Sequence, residues 1–292
     1  MSIDLHIHSS NSDGTDKIED ILNIAIEQQL QAISITDHEF LSEVENTNLI
    51  EIIPGVEMSV SWYDLELENP FAGIHLLIYF LKKDTPIYEL LSKIRIEKKN
   101  RNYEILEKLK KVGVDIERKE LDDLETKVPG RPHIANLMKS KGYVASLNEA
   151  FKEYLGNGKV GDSRIHQNPI EEVIDCAKES KCLVFLAHPH TLMSNKDYSF
   201  SKNWYDSAFV DRLGSLKNLG IHGVETYYSS YSKTTSSTLS EIVNNMNLLK
   251  SGGSDYHGDN KPDINIGFGY ESNKLNISYE LLELMKEKHA EL

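Results

Sequence analysis

Residues 3–36 read IDLHIHSSNSDGTDKIEDILNIAIEQQLQAISIT, and the pattern of apolar residues changes three times along them. Ile3, Leu5 and Ile7 alternate with Asp4, His6 and His8, the period of two that sends successive strand side chains to opposite faces. Ser9 to Gly14 is a run of turn formers. Ile18, Ile21, Leu22, Ala25 and Ile26 then recur at the spacing of an amphipathic helix, and Ala32 to Thr36 is a short, largely apolar run of strand length. The stretch predicts a β-loop-α-β unit.

The same rhythm returns later in the chain. Ile170, Val173, Ile174 and Ala177 form a helical stripe, Cys182 to Ala187 a strand, Phe209, Leu213 and Leu216 a stripe, and Ile221 to Glu225 a strand. A strand around Leu248 to Gly252 and a helix near Ser278 to Lys288 close the pattern, which implies a parallel sheet wrapped by helices. The middle differs. Glu89 to Val112 is helical and charged, with Ile105, Leu106, Leu109 and Val112 on one face, and further helical stretches run from Pro132 to Leu155. No strand pattern interrupts residues 95–164, so the expected organisation is a barrel in two parts, 1–94 and 165–292, with 95–164 as a helical insertion. Gly156-Asn157-Gly158-Lys159-Val160-Gly161 is flexible enough to serve as a hinge or lid loop.

The chain has 292 residues, of which 39% are hydrophobic and 27% charged, so neither a disordered nor a fibrous chain fits. This length accommodates two ordinary domains or one α/β barrel with an insertion. The net charge of −14 argues against gripping long nucleic acid or an anionic membrane, both of which call for a basic surface. No apolar run approaches the ~18 residues of a membrane helix. Asp4, His6 and His8 stand where a signal peptide has its apolar core, so a soluble, cytoplasmic protein is expected. Cys176 and Cys182 lack a CxxC spacing and read as buried, reduced thiols.

Eleven histidines scattered at random would give about 0.4 His-x-His pairs, and the chain has two, His6/His8 and His188/His190. On a strand, the two members of such a pair share a face and can share a metal. One pair alone is more often a surface or hydrogen-bonded feature. Other polar groups add weight because they fall beside predicted strands: Asp37-His38 after Ile33 to Thr36, Glu57 after Ile52-Ile53, and His75 beside Leu76-Leu77-Ile78. His188 follows Leu183 to Ala187, and Asp255 and His257 follow the strand near Leu248. In a parallel barrel all strand C-terminal ends open on one face, where active sites lie, so these groups should converge. Six histidines with Asp13, Glu57 and Asp255 exceed the four ligands of one structural zinc, and more than one metal is implied.

These motifs resemble the PHP (polymerase and histidinol phosphatase) family of metal-dependent phosphoesterases. They are Asp4-Leu5-His6-Ile7-His8-Ser9, Ser12-Asp13-Gly14-Thr15, Ile35-Thr36-Asp37-His38, Pro54-Gly55-Val56-Glu57, Ala187-His188-Pro189 and Gly253-Ser254-Asp255-Tyr256-His257. Arg131-Pro132-His133, with Ala135, Phe151 and Tyr154-Leu155, resembles the stand-alone phosphatases that act on AMP and 3′,5′-bisphosphorylated nucleosides. The resemblance implies an α/β fold, a distorted (βα)7 TIM-like barrel with a helical insertion domain. It also implies three divalent metals, Mn2+ foremost and Fe2+, Zn2+ or Mg2+ as alternatives. By position, His6, His8, Glu57 and Asp255 would hold the first, and Glu57 would bridge to a second with His75 and His188. Asp13, His38 and His257 would hold the third. Catalytic roles are implied for Asp13, His38, Glu57, Arg131 and His133, the last two reaching from the insertion to the phosphate. Three such ions and three carboxylates leave the site about +3, suited to a phosphate dianion.

His190 is placed with Arg131 and His133 among the substrate-binding residues; a polar rim residue and a proton donor to the leaving alkoxide are equal readings. Tyr227, Tyr228 and Tyr231 read as base stacking or as packing, and Glu225 as a support for a ligand. His166, His222 and His289 read as surface or capping residues. The family's Gly-Lys-Pro loop is replaced by Gly158-Lys159-Val160-Gly161-Asp162-Ser163-Arg164, expected to border the substrate. The expected activity is hydrolysis of a phosphate monoester of a small nucleotide, with no obligate protein partner. Alternatives are a 5′ to 3′ exoribonuclease on short oligonucleotides, a non-nucleotide phosphatase of the same family, or a module kept as a scaffold. An amidohydrolase also opens with His-x-His, but no strand lysine is positioned as a bridging carbamate.

Overall fold

In the computed structural model, residues 2–45, 47–64, 69–156, 158–162, 168–193, 204–269 and 272–292 are described. The opening stretch forms β1 (Ser2–Ile7), α1 (Ile18–Glu27) and β2 (Leu30–Ile35), with β1 and β2 parallel. β3 (Glu51–Ile52) extends this sheet in parallel. Through Pro54 it runs on into β4 (Gly55–Asp64), which pairs with β5 (Asn69–Tyr79). The helices α2 (Pro86–Lys110), α3 (Arg118–Asp122), α4 (Arg131–Ser140) and α5 (Leu147–Ala150) follow, the last continued by a π-helical turn at Phe151–Leu155. β6 (Asn168–Pro169), α6 (Ile170–Glu179), β7 (Leu183–Leu186), α7 (Ser207–Leu219) and β8 (Gly223–Tyr228) come next. α8 (Lys233–Asn245), β9 (Leu249–Gly253) and α9 (Tyr279–Ala290) complete the order.

The two sheets join into one ring. His38 bridges Glu57 between β2 and β4, Ile7 bridges Tyr256, and the Asp255 amide donates to the His6 carbonyl at 2.8 Å. Counting β3 and β4 as one stave, seven staves stand in the order β1, β2, β3/β4, β5, β7, β8 and β9. Several are buried on both faces, as strands of a helix-covered barrel are. Leu77, Tyr79, Leu183 and Phe185 pack inward with Ile3 and Leu5, and α9 closes that core with Leu282 and Met285. Leu76, Ile78, Val184 and Leu186 face outward against Val173, Phe209 and Leu239 of the surrounding helices. This double burial is why Cys182 to Ala187 reads as an unbroken apolar run.

The expectation of a wholly parallel sheet fails at β5. It runs antiparallel to both β4 and β7, with Glu57 opposite Leu77 and Ser59 opposite His75. Four residues separate β4 from β5, far short of the dozen or so that a parallel crossover needs, so the chain must fold straight back. β4 therefore overshoots the barrel rim, and β5 descends into the ring from the face the other strands leave by.

α2 serves two cores. Ile87, Leu90, Leu91 and Ile94 of its first half pack against the barrel, and Ile105, Leu106 and Leu109 pack with Ile134, Ala135, Met138 and Leu155. Val112, expected on that apolar face, lies past the helix end and is 52% exposed. The helical segment is also fastened to the barrel: the amides of Lys127 and Val128 donate to the Asn11 carbonyl at 2.9 and 3.0 Å. Thr126 Oγ1 donates to the carbonyls of Asn11 and Ser12. Part of the Gly158–Arg164 loop, Ser163 and Arg164, and also His166, lie outside the described residues. Among the described residues no helix is long and apolar enough to cross a membrane.

Candidate metal centre

The β1 end carries His6 and His8 into the mouth of the ring, both fully buried. Their Nε2 atoms face each other at 3.1 Å. Gly253 makes this possible, since a Cβ there would lie 2.4 Å from the His6 Cβ and backbone nitrogen. The turn Ser9 to Gly14 is held beneath by Asp37, whose carboxylate accepts from the Ser9 amide and the hydroxyls of Ser9, Ser12 and Ser42. That arrangement presents Asp13 toward His8, His38 and His257. Gly14 passes so near His8 that a Cβ would sit 2.4 Å from its carbonyl oxygen.

Glu57 is the hub. Its Oε1 lies 2.9 Å from His75 Nδ1 and 2.8 Å from His188 Nε2. Its Oε2 lies 3.1 Å from His8 Nε2 and 3.4 Å from both His6 Nε2 and His38 Nδ1. Asp255 Oδ1 stands 3.5 Å from the Nε2 atoms of His6 and His8, and its Oδ2 accepts from Tyr228 and Lys261. Three sets bring their ligand atoms within 4.8 Å of one another: His6, His8, Glu57 and Asp255; His8, Asp13, His38 and His257; and His38, Glu57 and His75. His188 joins the hub through Glu57 Oε1. Two of the site residues, His188 and Asp255, hold positive φ of 26° and 58°, a strained backbone that the surrounding contacts must enforce.

The donors fit divalent cations. His6 Nδ1 bonds Glu225 at 2.9 Å and His257 Nδ1 bonds the Asp255 carbonyl at 2.8 Å, so in the neutral rings these acceptors hold the proton on Nδ1 and leave each Nε2 lone pair for a cation. His257 Nε2 faces Asp13 Oδ1 at 3.4 Å, a pair that a proton or a cation can bridge. His38 Nδ1 is buried without a hydrogen-bond partner among the described residues. Lone pairs and carboxylates turned toward one another in a largely buried pocket ask for a cation between them.

Without a metal the charges settle among themselves. Burial alone would pull the His8 imidazole down, but Asp255, Glu57 and Asp13 carry it up to about 9. His6 is likewise raised well above its ordinary value, burial being outweighed by Glu225, Glu57 and Asp255. Burial pushes His38 down to about 4 despite Asp13 and Glu57. Asp13, Glu57 and Asp255 are held well below the carboxylate range, because histidines around all three and Lys261 beside Asp255 overcome the cost of burial.

Other sequence candidates take different places. Asp4, on the same strand period as His6 and His8, accepts from the amides of Ser254 and Gly267 and pins loops. His133 caps α4 by accepting from the Gly130 amide at 3.1 Å and also bonds the Ser12 backbone, beside Asp13. Arg131 lies over Phe151 with a long 3.4 Å contact to the Leu155 carbonyl. His190 Nδ1 and Tyr231 hydroxyl meet at 2.8 Å, and burial pushes His190 down to about 3. Tyr228 is committed to Asp255 and Tyr231 to His190, which favours packing over base stacking for both. Glu225, fully buried, supports His6 through one oxygen and the His188 amide through the other.

Lys261 and Glu39 escape sequence reading. Glu39 follows His38 with φ of 48°; its carboxylate accepts from Lys98 and from the Ser59 amide, tying α2 to β4 and to the loop that follows β2.

Residues 4–160 match the PHP domain family. Curated relatives include a 5′-3′ exoribonuclease of Haemophilus influenzae, 26% identical over 87% of this chain and 89% of the relative. A phosphoribosyl 1,2-cyclic phosphate 1,2-diphosphodiesterase of Eggerthella lenta is 25% identical over 92% and 98%. A 3′,5′-nucleoside bisphosphate phosphatase of Chromobacterium violaceum is 23% identical over 91% and 90%. In fold, the chain is similar to a solved structure from Bifidobacterium adolescentis, with TM-score 0.75, 20% identity and coverage of 99% of this chain and 96% of that one. A family match over more than half the chain, joined to a multi-histidine cluster at one mouth of the ring, makes this protein a member of the PHP family, a metal-dependent phosphoesterase.

Proposed function

We propose that the protein hydrolyses a phosphate ester of a small nucleotide, AMP or a 3′,5′-bisphosphorylated nucleoside. The carrying observation is Glu57, whose two oxygens face separate histidine sets and so suit a carboxylate that bridges two cations. His6, His8, Glu57 and Asp255 would hold one divalent ion, Glu57 with His75 and His188 a second, and Asp13, His38 and His257 a third, with Mn2+ foremost. Bound there, the ions supply a water of lowered pKa and neutralise the charge gathering on the phosphoryl oxygens.

The remaining work falls to the chain. Glu225 keeps the His6 lone pair aimed inward, and Tyr228 with Lys261 occupies one Asp255 oxygen so that the other stays free for the centre. His133 at the α4 start and Arg131 beside it orient the phosphate, the guanidinium by its planar fork. Residues 95–164 act as a lid. Their attachment to Asn11 and Ser12 sets them close over Asp13, which favours small or terminal phosphates over long polymers. A 5′ to 3′ exoribonuclease acting on short oligonucleotides is the second reading, favoured by the Haemophilus influenzae relative.

The test supplies Mn2+ and compares AMP, adenosine 3′,5′-bisphosphate, a dinucleotide and a short RNA. Faster release of phosphate from the mononucleotides is expected. Mononucleotide release from RNA at an equal or greater rate would give precedence to the exoribonuclease, and inertness toward all four would sink the nucleotide reading.

A further inference from the structure

The loop after β2 is gripped from outside by α2. Arg95 and Lys98 lie three residues apart on one face of that helix, and both reach Glu39, the residue after His38. An Arg95 guanidinium nitrogen donates to the Glu39 carbonyl at 3.1 Å, and the guanidinium lies over the Phe40 ring. The Lys98 ammonium pairs with the Glu39 carboxylate, which is 1% exposed. The other oxygen of that carboxylate accepts from the Ser59 amide at 3.1 Å, and the Glu39 amide donates to the Glu57 carbonyl at 3.0 Å.

The grip falls behind two of the histidines. His6 has Glu225 behind its ring and His257 has the Asp255 carbonyl, the usual backing of a metal-ligating imidazole. His38 lacks one, since its Nδ1 is buried without a hydrogen-bond partner among the described residues. Its aim therefore depends on its backbone, which runs on into Glu39 at φ of 48°, a conformation that surrounding contacts must hold. His75 is backed at 3.2 Å by the hydroxyl of Ser59, the residue whose amide is tied to Glu39. One buried carboxylate thus stands behind both rings. Its partner Lys98 lies on α2 between Ile94, packed on the barrel, and Ile105, packed on the helical core.

We infer that Lys98 and Glu39 form a positioning pair through which α2 sets the aim of His38 and His75, and with it the affinity for cations on the β2, β4 and β5 side of the centre. The inference rests on the cation assignment above. His6 and Asp255 are steadied by other groups, Glu225, Tyr228 and Lys261, so the cation they share with His8 should keep its affinity when the pair is lost.

The experiment titrates Mn2+ by calorimetry into the EDTA-treated protein, in wild type, Lys98→Met and Lys98→Arg. Lys99→Met is the control, because Lys99 pairs at the surface with Asp122. Wild type should bind more than one ion. Lys98→Met should weaken one or more of them by about tenfold or more, the usual effect of losing a group behind a ligand, while another ion binds as in wild type. Lys98→Arg keeps the ion pair and should match wild type, as should Lys99→Met. A pair that only braces the fold makes a different forecast: the metal-free Tm falls in Lys98→Met, but the rise in Tm on adding Mn2+ stays that of wild type. That result, unchanged binding of every ion, or an equal loss of all of them overturns the inference. If Lys98→Met does not fold, the double variant Glu39→Gln/Lys98→Met, which buries no unpaired charge, must show the same selective weakening, and wild-type affinity in it also overturns the inference. Wild type that binds one ion or none overturns the cation assignment itself, and the inference falls with it.

Discussion

Glu57 concentrates the chemistry into one side chain. It is almost fully buried, yet His75, His38 and His6 keep it ionised against the cost of burial. Glu57→Ala should lower kcat/KM by more than tenfold, ~1.4 kcal/mol of transition-state stabilisation, and lower metal content while circular dichroism stays that of wild type. A variant that keeps more than about a tenth of kcat/KM would remove the bridging role. His6, His8 and Glu57 were legible because each stands in or beside an apolar strand run with a motif around it. Lys261 was not: it lies six residues past Asp255 in a loop without periodicity, and only the fold brings its Nζ to Oδ2. Asp4 shows the converse limit. Alternation groups it with His6 and His8, but alternation cannot tell a metal ligand from an acceptor for the amides of Ser254 and Gly267.

At the scale of elements, the α/β alternation was written plainly because strands buried on both faces give continuous apolar runs, as in Leu183 to Ala187. The direction of β5 was not, since periodicity carries no sign; only the four-residue connection betrayed it. That reversal matters to the site. His75 reaches the mouth of the ring at the point where β5 enters it, opposite Ser59, whose hydroxyl meets its Nε2 at 3.2 Å. α2 is the other decisive element, because one rigid helix packs on both the barrel and the core that carries α4. If Arg131 on α4 reads the phosphate as proposed, α2 would hold it at a fixed height above the histidine cluster. Arg131→Ala should cost on the order of 2 to 4 kcal/mol in kcat/KM, like the loss of a preorganised oxyanion donor, and Arg131→Lys should also impair turnover. Metal content should not change. Wild-type kinetics in Arg131→Ala with both AMP and a 3′,5′-bisphosphate would assign the residue to packing against Phe151.

For the whole molecule, a chain of net charge −14 gathers a group of imidazoles and three carboxylates at one mouth, and metal binding must compete with protons for them. In the metal-free protein His8 titrates at about 9 and His6 also stands well above the usual imidazole value, so both are protonated at neutral pH. Coordination needs their neutral forms, and loading therefore expels protons. Calorimetric titration with Mn2+ near pH 7.5 in two buffers of different ionisation enthalpy should reveal that release. The same shift sets the sign of the stability change. A histidine whose folded pKa is raised stabilises the metal-free fold fully below its unfolded value, ~6.5, and that contribution fades as pH rises through about 9. The metal-loaded fold gains over the same range, because affinity grows as the ligands lose their protons. The gap in Tm between Mn2+-loaded and EDTA-treated protein should thus widen from pH 6 to pH 9, an outcome checked by thermal melts across that window. A gap that narrows, or manganese occupancy that holds unchanged down to about pH 4, would contradict histidine ligation at this centre.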